Sequence, residues 1–143
     1  LFRILPGSFV PAEDQGYLFG INIMPDAASL ERTTRASDKA IEILHENDAV
    51  DSGLQVDGFS LIDSQNKTNA SLLFVALKPY EERKTPETGA FVVVDNLRKS
   101  FTAIKESIVL PLNPPSIPGL GTTGGFEFYI QNMGGAVLRI WKK

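Results

Sequence analysis

From Tyr17 to Met24 the side chains alternate: Tyr17, Phe19, Ile21 and Ile23 fall on one side, and Leu18, Gly20, Asn22 and Met24 on the other. A period of two predicts a β-strand with one strongly apolar face, and Pro25-Asp26 ends it. Over residues 29–47 the period changes. Leu30, Thr33, Ser37, Ala40, Ile41 and Leu44 recur near the roughly 3.6-residue spacing of an amphipathic helix. Ser29 is placed to cap its start, Glu31 suits its positive first turn, and His45-Glu46-Asn47-Asp48 is a polar exit.

Leu54, Val56 and Phe59 predict a second strand that ends at Asp57-Gly58 or just beyond, followed by a polar loop from Asp63 to Asn69. Ser71 to Leu77 is apolar on both sides, which suits a strand in the middle of a sheet, and Pro79 stops it. Thr85-Pro86-Glu87 reads as a helix start: a capping hydroxyl, a proline whose missing N–H costs nothing there, and an acid. Ala90, Val94, Leu97, Phe101 and Ile104 then repeat at helical spacing. Val92-Val93-Val94 favours strand locally, but the longer apolar pattern outweighs three residues of weak propensity. Ile108, Leu110 and Leu112 predict a fourth strand, and a stiff loop rich in proline and glycine spans 113–121. Phe126, Phe128 and Ile130 predict a fifth strand, Gly134-Gly135 a turn, and residues 136–141 a sixth strand.

This order defines an α+β fold, a split βαβ (ferredoxin-like) sandwich with two helices on one antiparallel or mixed sheet and an extra C-terminal strand. Right-handed crossovers place strands one and three at its centre. The length of 143 residues fits one domain. Hydrophobic residues at 43% and charged residues at 22% exclude wholesale disorder. A net charge of −3, spread along the chain, provides no basic footprint for nucleic acid or anionic lipid. The chain has no cysteine, so disulfides, thiolate metal sites and cysteine nucleophiles are excluded. No segment has the ~18 apolar residues that span a bilayer, and the apolar start, Leu1 to Pro6, lacks the parts of a signal peptide.

With one histidine, catalysis is the weak hypothesis, and the chain is expected to be no enzyme and to need no cofactor. His45, near a helix end, reads as a solvated C-terminal cap rather than a ligand. Asp48, Asp51, Asp57 and Asp63 straddle a turn, a strand and a loop, so they read as solvated acids rather than a paired-carboxylate site. Gly119 to Gly125 lacks the lysine of a phosphate loop and leads into a strand. Two triplets, Asn66-Lys67-Thr68 and Asn69-Ala70-Ser71, match the glycosylation pattern by chance. No basic glycine-aromatic signature supports RNA binding. Apolar residues near loops remain, and Phe59-Ser60-Leu61-Ile62, after the strand's glycine, is expected to be exposed as a binding surface or interface.

Several blocks resemble a known family. Leu5 to Tyr17 (LPGSFVPAEDQGY) is similar to the stretch that follows the seventh transmembrane helix of resistance-nodulation-division (RND) efflux pumps of the hydrophobe/amphiphile branch. Pro25 to Thr33, Val56-Asp57-Gly58-Phe59, Phe74 to Pro79, and Asn113 to Thr122 followed by Gly124-Gly125-Phe126 match in family order. The resemblance implies the first porter subdomain of the second periplasmic half of a proton-driven transporter. Residues 1–15 would be a lead-in after a missing transmembrane helix, 16–135 the subdomain, and 136–143 an atypical tail.

It further implies a periplasmic part of a bacterial inner-membrane protein. Its partners would be amphiphilic small molecules, the rest of the pump chain as a homotrimer, a periplasmic adaptor and an outer-membrane channel, and no nucleic acid. Carried over position by position, the substrate-binding candidates are Leu54, Val56, Phe59, Leu61, Phe74, Leu110 and Leu112. The loop separating two pockets maps to Phe59, Ser60, Leu61, Ile62, Asp63, Ser64, Gln65 and Asn66, and is less rich in glycine than is typical of the family. Leucine replaces the family's phenylalanine at several pocket positions, keeping apolar burial but losing aromatic stacking. The family's proton-relay residues lie in transmembrane helices and are absent from this chain. The rival reading is a free-standing soluble interaction domain from a truncated pump gene, pairing through its strand edges without transport.

Overall fold

The computed structural model describes residues 14–114 and 137–142. The strand expected at 126–130, the turn at Gly134-Gly135, most of the loop at 113–121 and residues 1–13 of the lead-in lie outside the described residues. The elements in order are β1 (Tyr17–Ile23), α1 (Leu30–His45), β2 (Val50–Ser60), β3 (Gln65–Leu77), α2 (Ala90–Phe101), β4 (Ile108–Leu112) and β5 (Val137–Lys142). They form one five-stranded sheet ordered β4-β1-β3-β2-β5, every pair antiparallel. This is the split βαβ arrangement, with β5 added outside β2.

The two helices share one face of the sheet. Ala40 and Leu44 of α1 and Ala90, Val93, Val94, Leu97 and Phe101 of α2 bury against Leu18, Leu73, Val75, Leu77 and Val109. The β-branched run of α2 is helical because this buried stripe fixes its period. α1 starts as expected, with the Ser29 hydroxyl accepting from the Arg32 amide. Pro111 sits on the edge strand β4, where its missing N–H breaks no inner ladder.

The start of α2 differs from the reading at Thr85-Pro86-Glu87. Those residues begin a short 3₁₀ turn over Pro86–Thr88, tied by Thr88 to the Thr85 carbonyl, and the α-helix begins at Ala90. Its N-cap, Gly89, has no side chain to offer. Asp14 supplies the cap instead, accepting from the Ala90 amide at 2.9 Å. A carboxylate brought from 76 residues away leaves no local pattern to read.

Asp57 is fully buried rather than solvated. It lies in a polar row under α1, opposite Ser71 of β3, which in turn lies opposite Asn22 of β1. The Ser71 hydroxyl and the Gln55 amide each donate to the carboxylate at 2.7 Å, while the Asn22 amide donates to Ser37 of α1 at 2.9 Å. Small side chains on α1 make the room: Thr33, Ala36 and Ser37 are all buried. Strand alternation turned Asp57 inward, and the donors beside it offset the cost of burying it.

His45 is not a solvated cap either. Its ring packs edge-on against Trp141 of β5, with centroids 4.9 Å apart, and its Nε2 is buried. The partner strand is remote in sequence, so nothing near His45 foretold it.

Candidate functional site

The other face of the sheet carries no helix among the described residues. Residues directly opposite in an antiparallel ladder share a face, and the registers align apolar side chains in rows. Leu112, Phe19, Phe74, Leu54 and Ile140 form one row across all five strands. Leu110, Ile21, Leu72 and Val56 form the next, and Ile108, Ile23 and Ala70 a third. Phe19 meets Phe74 edge-to-face at 5.1 Å, and Tyr17 meets Phe19 at 5.7 Å.

The seven candidates therefore meet on one face. Leu54, Val56, Phe59, Leu61 and Phe74 pack in one cluster with Phe19, Ile21 and Leu72, while Leu110 and Leu112 extend it toward the β4 edge, both partly exposed. Leu54 and Val56 step by two along β2, but the next member, Phe59, comes three residues later. A bulge accounts for this. Gly58 takes φ of +86°, the register slips between Asp57 and Phe59, and the extra residue turns Phe59 back to the face of Val56.

The expected loop from Phe59 to Asn66 is shorter than the sequence suggested. Phe59 and Ser60 end β2, Gln65 and Asn66 open β3, and only Leu61, Ile62, Asp63 and Ser64 form the turn. Polar residues through Asn69 read as loop because this end of the hairpin is exposed on both sides and needs no apolar alternation. The turn is clasped: Asp63 accepts from the Ser60 hydroxyl at 2.8 Å and from Lys67 Nζ at 2.7 Å. Those two hydrogen bonds, Lys67 first, hold the Asp63 carboxyl below its usual range. Within Phe59-Ser60-Leu61-Ile62 only Ile62 is exposed; Ser60 and Leu61 are buried and Phe59 half-buried.

Tyr17, Phe19, Ile21, Ile23, Leu72 and Ile140 belong to the same face but were not among the candidates. Alternation in β1 had already placed four of them on one apolar side. What the alternation lacked was which side the helices would leave open. A groove of about 340 Å³ lies at one end of the face, lined by Tyr17, Ser52, Gly53, Leu54, Phe74, Val75, Ala76 and Ile140. Among the described residues no cluster of three or more His, Asp or Glu could hold a metal, and no helix is long and apolar enough to cross a membrane.

A split βαβ sheet whose second apolar face carries no helix among the described residues leaves that face available for packing or binding. Residues 1–139 match the model of the AcrB/AcrD/AcrF family, and the chain belongs to this family of RND efflux transporters. It is 37% identical over 137 residues to the multidrug export protein AcrF of Escherichia coli K12. It is 33% identical to the toluene efflux pump membrane transporter TtgB of Pseudomonas putida, and 31% identical to the multidrug resistance protein MdtF of Escherichia coli K12. Each match takes in 94% of this chain and 13% of the relative's length.

Proposed function

We propose that the chain acts as a porter subdomain of a proton-driven RND efflux transporter, its helix-free face forming part of the wall that binds amphiphilic substrates. The observation that carries this reading is the set of apolar rows on that face. They hold five of the seven positions named by family resemblance, Leu54, Val56, Phe74, Leu110 and Leu112, with Phe59 and Leu61 packed beside them and Phe19 edge-to-face on Phe74. Apolar burial without fixed polar contacts binds many shapes at about 25 cal/mol per Å² and demands little orientation.

In this reading the face lies in the periplasm, in a homotrimer joined to an adaptor and an outer-membrane channel. Transport works by population shift, the subdomain alternating between arrangements that open and close the pocket. The clasped turn at Leu61–Ser64 borders that pocket and divides it.

The test is made in the full-length transporter that carries this segment. Phe59→Ala and Phe74→Ala should each lower resistance to bulky apolar compounds while membrane expression stays level. Unchanged resistance across a broad compound panel, at equal expression, would overturn the assignment of this face.

A further inference from the structure

β5 is fastened to the edge of β2 by two side chains on the helix side of the sheet, away from the face described above. Arg139 pairs with Asp38 of α1. Trp141, two residues on, packs edge-on against His45, about two turns after Asp38 in the same helix. The indole lies over Gly53, the residue opposite it in β2, where a Cβ would come within 2.5 Å of the ring. Alternation along β5 turns both side chains toward α1, and Ile140 between them faces the other way and is 87% exposed. The groove between α1 and β2 therefore reads an extended segment at two points, an arginine and an aromatic ring spaced i, i+2.

The groove and its occupant are separable. β2 runs over Val50–Ser60 without a proline, so its outer edge is a long template for a further strand, whereas β4 at the far edge carries Pro111. The seam with β5 is incompletely satisfied. Trp141 Nε1, His45 Nε2 and Gln55 Oε1, the last from the residue opposite Arg139, are buried without a hydrogen-bond partner among the described residues. Asp38, His45 and Gly53 lie inside the match to the family model, while Trp141 lies beyond it.

Residues 113–136 join β4 to β5, which stand at opposite edges of the sheet. Fully extended, that stretch would reach about 80 Å, against about 19 Å across four strand spacings. Chain length thus lets the same segment fill its own groove or that of a neighbour.

We propose that the α1–β2 groove is a strand-acceptor site for an Arg-x-Trp segment, and that a second copy of this chain fills it with its own residues 137–142, giving a strand-exchanged dimer. The chain has a single tryptophan, so 137–142 is the one segment of the sequence that carries the pair. The contacts are the same within a chain and between chains, and the dimer gains by mass action as concentration rises.

The test has two arms, both on the 143-residue chain. In the first, Arg139→Glu combined with Trp141→Ala weakens the chain's own occupant and removes its indole. A synthetic peptide with the sequence of residues 137–142 then carries the one tryptophan in the sample. Its emission should shift to the blue on binding, and the same peptide with Arg139→Glu should bind about fivefold or more weakly. In the second arm, Gly53→Ala, with its groove blocked and its β5 segment unchanged, is mixed with that double variant in urea and the two are refolded together. Sedimentation should show a heterodimer, the Trp141 emission of the Gly53→Ala chain should return to the blue, and the parent's dimer fraction should rise with concentration.

If the peptide emission does not shift, or the peptide binds equally well with glutamate at 139, the groove does not read the pair and the proposal falls. If the peptide binds but the mixed chains and the parent stay monomeric at every concentration, the groove serves only its own strand and the second copy is overturned. Should Gly53→Ala fail to refold, the parent's concentration series decides the second arm alone.

Discussion

Asp14 and Arg83, 69 residues apart, meet in a two-pronged ion pair, with the guanidinium nitrogens at 2.7 and 3.0 Å from the two carboxylate oxygens. The same carboxylate accepts from the Gly16 and Ala90 amides, both at 2.9 Å. Arg83 is itself buried and also donates to the Lys78 and Thr88 carbonyls. One contact thus ties the chain entering β1 to the loop after β3 and to the first turn of α2. The Arg83 hydrogen bond, the leading cause, together with those amides, lowers the Asp14 pKa from 3.8 to about 2.

Asp14→Asn should therefore lose stability at neutral pH, by about 2 kcal/mol from the linked shift. The folded pKa lies below the unfolded one, so the stabilisation is present above pH 4 and is lost as pH falls through about 2. Urea unfolding across that range should show the gap between parent and variant closing toward acid. A gap that stays constant from pH 6 to pH 2 would show that the carboxylate's charge does not contribute.

Gly53 of β2 lies opposite Trp141 of β5. A Cβ there would come within 2.3 Å of the Phe74 carbonyl and 2.5 Å of the indole, and the first of these is backbone that cannot turn aside. Gly53→Ala should push β5 away and cost on the order of 2 kcal/mol. Trp141 is the chain's single tryptophan, so its fluorescence reports this directly. Emission should shift to the red in the folded variant, while an unshifted spectrum at full stability would contradict the packing.

Asp57, Ser71 and Gln55 make a third test. Asp57→Ala would strand two buried donors and should cost about 3 kcal/mol or more. Asp57→Asn keeps an acceptor for one of them and should cost less. Equal losses in chemical denaturation would mean that the carboxylate's volume matters rather than its hydrogen bonds.

Much of this fold was legible from periodicity alone. β1, α1 and the apolar run of β3 appear in the alternation and the 3.6-residue stripe, and the order of elements fixes β1 and β3 as inner strands. Three of the misreadings share one physical cause. The cap of α2, the burial of Asp57 and the packing of His45 on Trp141 are each made by a residue distant in sequence, and local pattern carries no trace of such partners. Resemblance named seven positions, which the structure brings to one face. Its β1 half was visible as an apolar side of a strand, but its membership depended on which face the helices cover.

The bulge at Gly58 supplies the last prediction. Without it, Phe59 would continue the alternation of Val56 and Asp57 and turn to the helix side, where the polar row under α1 has no room for a ring. A positive φ of +86° is strained for any residue with a Cβ, so Gly58→Ala should cost about 1 kcal/mol. Gly58→Val, branched at Cβ, should cost more and disturb the register. Two outcomes separate strain from position. If only stability falls, amide exchange in the hairpin from Leu54 to Leu72 rises uniformly and Phe59 still contacts Leu61. If the bulge is lost, the Phe59 ring protons lose their nuclear Overhauser contacts to Val56 and Leu61. The second outcome is expected for Gly58→Val, and a Phe59 that keeps both contacts in that variant would show that something other than the bulge aims it.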